Sequence, residues 1–576
     1  MKLAYHLPEA TVRRDPTARA QEMAAREAFW QFPEQSTIRF DRIVDRPLVD
    51  RTPPPHPDNT TADTTDNSSD NGSGSGDSDE VSTGRIVKAF STQLIFRVLG
   101  MLASVFTVAI TTRHLGPTSY GHLTTAIVFV GLWTSFTELG IGSVIVRRVT
   151  SGTADLERLI RVNTGLSLVY CVPLSLITMA SGLLIYQGEP EVKSMLIILS
   201  TSLTVSTVLT CVQPIFVTKV DFTAVAVSDL VGRMASLGAT LVMIQIDAPL
   251  VWFAIAQVVP LVVQLLVQFW AAGRMIPFWP IFSWRESLSL VVESLPQTGV
   301  LIIGVLYWRA DAVLLSLLSS PEQVGVYGLA YTVAFTTSVI SQFFLSSTLS
   351  SMTRRFAVDK KGFAEFVEKS VETLSLVALP IGLVGVMLAG PIVATMGSDE
   401  FVSDGKPALA LLFVAVTVTF MNGVLSQALF AAHDQVFLLR LNVVNLAVNI
   451  ALNIVLIPSF GAVGASAALL FAEFSGLVVV TWRLHRKSPY RTPYRYMVKA
   501  LVPLTATGVA VYFAHDLPLV ISGVIAVVVY AVANLVFGPA KISTLKTMLD
   551  SGDEPEEPDE PAEPLPQATD HGRTTQ

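Results

Sequence analysis

The sequence predicts an all-α polytopic membrane protein of about fourteen transmembrane helices, arranged as two six-helix halves and a final pair. Three observations predict it. About fourteen apolar stretches, each roughly 18 to 27 residues long, follow one another between Ile86 and Phe537. At about 1.5 Å of rise per residue each can cross a hydrocarbon slab of about 30 Å. Lys and Arg crowd into alternate connectors, and a Pro-x-x-x-Gly connector occurs twice, six spans apart.

Composition agrees with this class. Of 576 residues 51% are hydrophobic and 15% charged, and the mean hydropathy is +0.54, which excludes an ordinary soluble domain. Cys171 and Cys211 both fall inside predicted spans, so neither a disulfide frame nor a Cys-based metal site is expected. The formal charge of −7 is concentrated in the tails and says little about a ligand.

Residues 1–82 read as a largely disordered cytoplasmic extension. Its first part is mixed in charge, with a short helix expected around Ala20–Phe29, and 51–82 is Pro, Asp, Asn, Ser and Gly with almost nothing to bury. Arg13-Arg14 is not followed by an apolar region, which argues against a twin-arginine leader. The first lobe, 83–286, holds spans near Ile86–Thr112, Tyr120–Val146, Thr164–Tyr186, Met195–Val217, Ala224–Ile246 and Val251–Ala272. The second, 287–487, holds Leu295–Leu318, Val324–Leu349, Val371–Met396, Ala408–Phe430, Phe437–Ile457 and Val463–Trp482. The last pair, within 488–548, is Met497–Phe513 and Val520–Phe537, and 549–576 is a disordered acidic cytoplasmic tail.

Connectors after even-numbered spans hold Arg147, Arg148, Arg158, Arg161, Lys219, Arg274, Arg285, Arg354, Arg355 and the basic run Arg483–Lys499, whereas those after odd-numbered spans hold only Arg113, Lys193 and Lys406. This asymmetry predicts a plasma-membrane protein with both termini in the cytoplasm. The connectors Gly116-Pro117-Thr118-Ser119-Tyr120-Gly121 and Ser320-Pro321-Glu322-Gln323-Val324-Gly325 each set Pro, a bulky residue and Gly at the start of a long helix. Two such halves around a midplane site are a common transporter plan.

Polar groups inside the slab are the first functional candidates, because burying them in lipid is costly. Gln93, Arg97, Ser104, Thr107 and Thr111 share one face of the first span. Arg97 has no acid one turn away; its planar guanidinium suits a phosphate, the alternative being a structural ion pair with Glu138. Arg309 opens the second half as Arg97 opens the first, and Asp311, two residues on, points to another face. Asp311 is either a structural partner or a proton or cation site. Asp229 and Arg233, four apart, can pair with each other, although Arg233 can still reach a cavity. Asn442, Asn445, Asn449 and Asn453 form an amide stripe, for interhelical hydrogen bonding or sugar recognition. Glu473 is an ion-coupling carboxylate or a partner for Arg440, and Glu293 sits at the interface with no role expected.

The candidate set is thus a phosphate clamp of Arg97, Arg309 and Arg233, a polar lining of Gln93, Ser104, Asn442, Asn445, Asn449 and Asn453, and ion-coupling acids Glu138, Asp311 and Glu473. No phosphate-cradling loop with Gly-Lys-Ser/Thr, zinc-protease motif or nucleophile elbow occurs, so no catalytic residue, cofactor or metal is expected. The basic runs read as membrane-surface anchors, not nucleic-acid patches.

Several stretches resemble the Wzx-type polysaccharide and oligosaccharide flippases of the multidrug/oligosaccharidyl-lipid/polysaccharide exporter superfamily. They are Thr112–Gly121, Glu138-Leu139-Gly140-Ile141-Gly142 leading to Arg147-Arg148, Trp308-Arg309-Ala310-Asp311 with Val324-Gly325-Val326-Tyr327, and Asn449–Asn453 followed by Ile457–Ala465. The resemblance covers roughly Ser82–Met548. It implies two six-helix lobes forming a V around a central cavity, two peripheral helices, and phosphate contacts at Arg97 and Arg309. It further implies a flippase, not an enzyme, that carries a polyprenyl phosphate- or pyrophosphate-linked oligosaccharide to the external leaflet by alternating access, for cell-surface polysaccharide or glycoprotein synthesis. The expected partners are the bilayer and the polyprenyl-linked glycan, with glycan-assembly enzymes recruited by the tails as a further reading. The alternatives are a cation-coupled multidrug exporter of the same superfamily and a membrane glycan polymerase or ligase; the last lacks a large external loop to house its chemistry.

Overall fold

The structure, a computed structural model, describes residues 83–219 and 223–539, with side chains from Phe96 onward. The helix expected at Ala20–Phe29, the polar stretch 51–82 and the acidic tail lie outside the described residues.

All regular structure among the described residues is helical. That is the form in which a chain satisfies its own backbone in lipid. In chain order the helices are α1 (Thr83–Leu132), α2 (Ser135–Glu138), α3 (Ile141–Thr150), α4 (Leu156–Ile185), α5 (Pro190–Thr210), α6 (Gln213–Thr218), α7 (Thr223–Gln245), α8 (Leu250–Met275) and α9 (Trp284–Leu318). There follow α10 (Pro321–Thr336), α11 (Val339–Val358), α12 (Lys360–Met387), α13 (Ala389–Met396), α14 (Val402–Ala431), α15 (Gln435–Lys487), α16 (Tyr494–Phe513) and α17 (Leu519–Phe537).

Twelve stretches among the described residues are long and apolar enough to cross a membrane. Two of them, at 55 and 53 residues, run to about twice the length of one crossing. Each is broken at a glycine in a non-helical conformation, Gly116 (φ 72°) in α1 and Gly461 (φ 51°) in α15. These breaks fall where the sequence separates the first span from the second and the eleventh from the twelfth. Other expected spans are not continuous helices. The second breaks where Leu139 (φ 49°) and Gly140 (φ 64°) turn left-handed, the fourth between α5 and α6, the eighth between α10 and α11, and the ninth at Leu388. Hydropathy registers an unbroken apolar run and not the backbone within it, so these breaks were invisible to it.

α1 packs on α5 and α7, α7 on α8, and α4 on α5; in the later part α14 packs on α10, α12 and α15, and α9 on α15. Fully buried Leu123, Met195, Leu196 and Phe253 centre a core in the first set, and Tyr327, Phe363, Phe401 and Phe420 a core in the second. α16 and α17 pair with each other and lean on α12, mainly through α16, while the Tyr530 hydroxyl of α17 donates to the Leu376 carbonyl of α12 (2.9 Å).

The two sets meet where α1 crosses α10. The repeated Pro-x-x-x-Gly motifs pack on each other here: a Cβ on Gly121 would overlap the Pro321 carbonyl, and one on Gly325 would overlap the Pro117 carbonyl. Only residues without side chains let two backbones approach so closely. At the same end, Thr112 donates to the Met396 carbonyl (2.8 Å) and Arg113 to that of Thr395 (3.1 Å). At the other end α3 is tied to α9: Glu293 accepts from both Arg147 and Arg148, and Arg148 also donates to Ser289 (2.9 Å). Arg158 of α4 joins Glu286 of α9 at 2.6 Å. Glu293, to which the sequence assigned no role, therefore carries the central ion pair of that end.

Candidate functional site

The polar face of α1 runs along the contact between the two helix sets. Gln93 belongs to α1 but precedes the residues whose side chains are described. Arg97 is exposed, its guanidinium 5.5 Å from the ring centre of Phe343 on α11. Among the described residues it has no ion pair, and the alternative pairing with Glu138 does not form; Glu138 is itself exposed, beside the α2–α3 break.

Two turns further along, Ser104 accepts a hydrogen bond from Arg233 (2.6 Å). Arg233 also donates to Asp229 (3.0 Å), whose other oxygen accepts from Gln264 (3.3 Å). Gly100 lets α1 close on this cluster, for a Cβ there would lie 2.9 Å from the Arg233 side chain. Arg233 is thus held by its own helix and by Ser104.

Beyond Ser104, Thr107 and Thr111 border a cavity of about 190 Å3. It is lined by both limbs of α1, by Gln257 of α8, by Trp308, Arg309 and Ala312 of α9, and by Tyr327, Gly328, Tyr331 and Thr332 of α10. The α1–α10 crossing stands over it, since Tyr120, Leu123 and Thr124 flank Gly121. Arg309 lines the cavity, and among the described residues it has neither an ion pair nor a hydrogen bond. Gly131 lies across from it: a Cβ there would sit 3.7 Å from the Arg309 Nε.

Thr107 lies ten residues past Arg97, about 15 Å along one helix. The three arginines therefore do not converge on one point. They form a series along α1, with Arg97 nearest its start, Arg233 at Ser104, and Arg309 at the cavity beside Thr107 and Thr111.

The acids and amides of the later half form a separate buried layer. Asp311 is 2% exposed; it accepts from Asn453 (2.8 Å) and from the Tyr327 hydroxyl (3.3 Å). Asn453 also donates to the Asn449 carbonyl and side chain (2.9 and 3.0 Å). Glu473, also 2% exposed, accepts from the Tyr307 hydroxyl (2.8 Å) and from Asn422 (3.2 Å). Arg440 is exposed and is not its partner. Asn445 packs by Gly476 on the same side as Asn422, whereas Asn442 is exposed. Of the two alternatives for the stripe, interhelical hydrogen bonding is what Asn453 makes, and Asn445, Asn449 and Asn453 are buried and are not among the residues lining this cavity. Their spacing set a common face, but what that face meets is a tertiary fact.

Sequence reasoning overlooked the aromatic wall. Trp308, Tyr331 and Phe335 cluster beside Arg309, with Tyr331 stacked on Phe335 (centroids 4.4 Å apart, 19° between planes) and Trp308 edge-on to Phe335 (5.4 Å). Inside an apolar span an aromatic reads as core or lipid-facing, so its signal was lost among its neighbours.

The family described as "Polysaccharide biosynthesis protein" matches residues 110–403, half of the chain. A relative in Haloferax volcanii, "Probable flippase AglR", is 26% identical over 261 residues, which are 44% of this chain and 48% of that relative. Among solved structures, "Lipid II flippase MurJ, inward closed conformation" superposes with a TM-score of 0.66 at 13% identity, covering 77% of this chain and 98% of that one. An inward-facing multidrug resistance MATE family transporter of the MOP superfamily gives a TM-score of 0.58 at 12% identity, over 68% of this chain and 98% of the other. Its outward-facing counterpart gives 0.52 at 13% identity, over 69% and 95%. At such identities the structural likeness bears on the fold: a polytopic helical bundle shared with flippases and exporters.

Proposed function

The chain belongs to the Polysaccharide biosynthesis protein family, and from that premise we propose that it is a flippase working by alternating access, a transporter and not an enzyme. Its cargo is a polyprenyl phosphate- or pyrophosphate-linked oligosaccharide, moved from the cytoplasmic to the external leaflet. The observation that carries this reading is the pair of guanidiniums, Arg97 and Arg309, that have no carboxylate partner among the described residues along a cleft between two helix sets. A charge at this depth is costly unless it meets an anion or water. An anionic head group supplies the anion while its lipid tail stays in the bilayer.

The series of arginines supports passage along α1 rather than a single clamp. Arg97 receives the phosphate, Arg233 with Ser104 forms a polar step, and Arg309 engages the leading part of the head group. The basic connectors favour a plasma-membrane orientation with the Arg147–Glu293 end and both termini in the cytoplasm. An inside-negative potential then favours expulsion of an anion by about 2.3 kcal/mol per charge per 100 mV. Asp311 and Glu473, buried with only neutral hydrogen-bond partners in sight, are proposed as cation- or proton-coupling acids, with Glu138 at the helix break as a third. The same two acids are the one observation favouring a cation-coupled exporter.

The test is a reconstituted liposome assay with fluorescent polyprenyl-linked glycan. Arg97→Ala and Arg309→Ala are expected to slow movement at least tenfold. Wild-type rates in both would remove the cationic path. Proton- or sodium-driven export of a lipophilic cation, with no glycan movement, would establish the exporter instead.

A further inference from the structure

The cavity at Arg309 sets aromatic rings, hydroxyls and an amide beside its guanidinium, more than a phosphate needs. We infer that it is a subsite for one acidic sugar ring, such as a hexuronate, at the leading end of the head group. This deepens the transport reading above and rests on it.

Three observations lead there. The first is size: a space of about 190 Å3 has room for one ring with its substituents. The second is the aromatic wall. Trp308 and Tyr331 both border the space, with Tyr331 held by stacking on Phe335, and aromatic rings suit the C–H face of a pyranose.

The third is hydrogen-bond polarity. Thr107 spends its hydroxyl proton on the Ala103 carbonyl (2.8 Å), and Thr111 spends its own on the Thr107 carbonyl (2.7 Å). Both residues line the cavity, and each hydroxyl oxygen keeps lone pairs with which to accept. In that arrangement they accept from sugar hydroxyls, a donor that a fully ionised phosphate does not supply. Gln257 offers both an acceptor and a donor to a ring edge. Arg309, without a carboxylate among the described residues, remains for an acid group on the sugar; its fork fits a carboxylate in two parallel bonds. The phosphate then trails at Arg97, about 15 Å back along α1.

The experiment is saturation-transfer NMR on the full chain in lipid nanodiscs, with D-glucuronate, D-glucose and inorganic pyrophosphate as probes. Glucuronate is expected to bind at least tenfold more tightly than glucose. Arg309→Gln should erase that preference. Trp308→Ala should weaken both sugars at least tenfold, with Trp308→Phe recovering part of the loss and so separating stacking from misfolding. Lys361→Gln, on an exposed surface, should change nothing. Absent glucuronate binding, or binding indifferent to both Trp308 variants, overturns the subsite; so does pyrophosphate binding that Arg309→Gln abolishes and glucuronate fails to displace. The liposome assay keeps the two readings apart. Glycan movement without glucuronate binding sinks the subsite and leaves transport standing. Glucuronate binding at Trp308 and Arg309 without any glycan movement keeps the subsite and removes the transport reading.

Discussion

The two ends of the contact between the helix sets are closed by opposite physics. At the α1–α10 crossing, backbone meets backbone: Gly121 faces the Pro321 carbonyl and Gly325 the Pro117 carbonyl. At the α3–α9 end, long charged side chains meet, with Arg147 and Arg148 sharing Glu293 and Arg158 on Glu286. A steric fit is short-ranged and indifferent to salt, and is lost when atoms are added. An ion pair is adaptable, half-solvated and weakened by screening. Under the alternating access proposed above, the tight end is the one expected to hold and the loose end the one to give.

The largest effect should come from filling the tight end. Gly121→Leu forces a side chain into the Pro321 carbonyl, and overpacking of this kind costs about 3 kcal/mol. The crossing has to part. A cysteine introduced at Thr111, in the cavity below, should then react with a membrane-impermeant maleimide added on the Gly116 side, while the same cysteine behind Gly121 stays unlabelled. Gly325→Leu should do the same, since the contact is reciprocal. Equal labelling in all three would show that the crossing does not seal the cavity.

These glycines also mark how far the sequence could be read. The Pro-x-x-x-Gly repeat was legible as a pair of helix starts, and the lengths of apolar runs announced a membrane bundle. That the two motifs touch each other was not legible, because no local pattern encodes a contact between residues some 200 positions apart. The arginines were found by their cost, while their order along α1 needed the helix packing. Trp308 and Tyr331 were missed because aromatics are ordinary in such spans. Glu293 was set aside as an interface residue because its partners, Arg147 and Arg148, lie on another helix.

A smaller effect is expected at the loose end. Glu293→Gln leaves two neighbouring guanidiniums without their shared anion. The pair is about one-third exposed on both sides, with side-chain exposures of 39%, 26% and 31% for Arg147, Arg148 and Glu293. The loss should therefore be about 1 kcal/mol, near the upper bound for surface pairs. The sharper readout is the salt response: raising ionic strength should shrink the difference in melting temperature between wild type and Glu293→Gln. A difference that persists undiminished at 1 M salt would mean the carboxylate acts by packing, as the glycines do, and the contrast between the ends would collapse.

The smallest effect concerns a second ion pair of the same adaptable kind, outside the spans. Asp434, between α14 and α15, accepts from Arg483 (2.7 and 3.3 Å) and lies 3.5 Å from Lys487. Burial pushes its carboxyl up, but the hydrogen bond from Arg483 and the charges of Lys487 and Arg483 outweigh that and hold it below the usual 3.8. A carboxylate whose folded value is depressed adds stability above its unfolded value, and that contribution fades as pH falls through the folded one. Wild type and Asp434→Asn should thus differ in melting temperature at neutral pH and converge below about pH 4. A constant offset from pH 7 down to pH 3 would show that Asp434 contributes as a neutral hydrogen-bond acceptor and not as a charge. The adaptable kind of contact would then be confined to the cluster around Glu293.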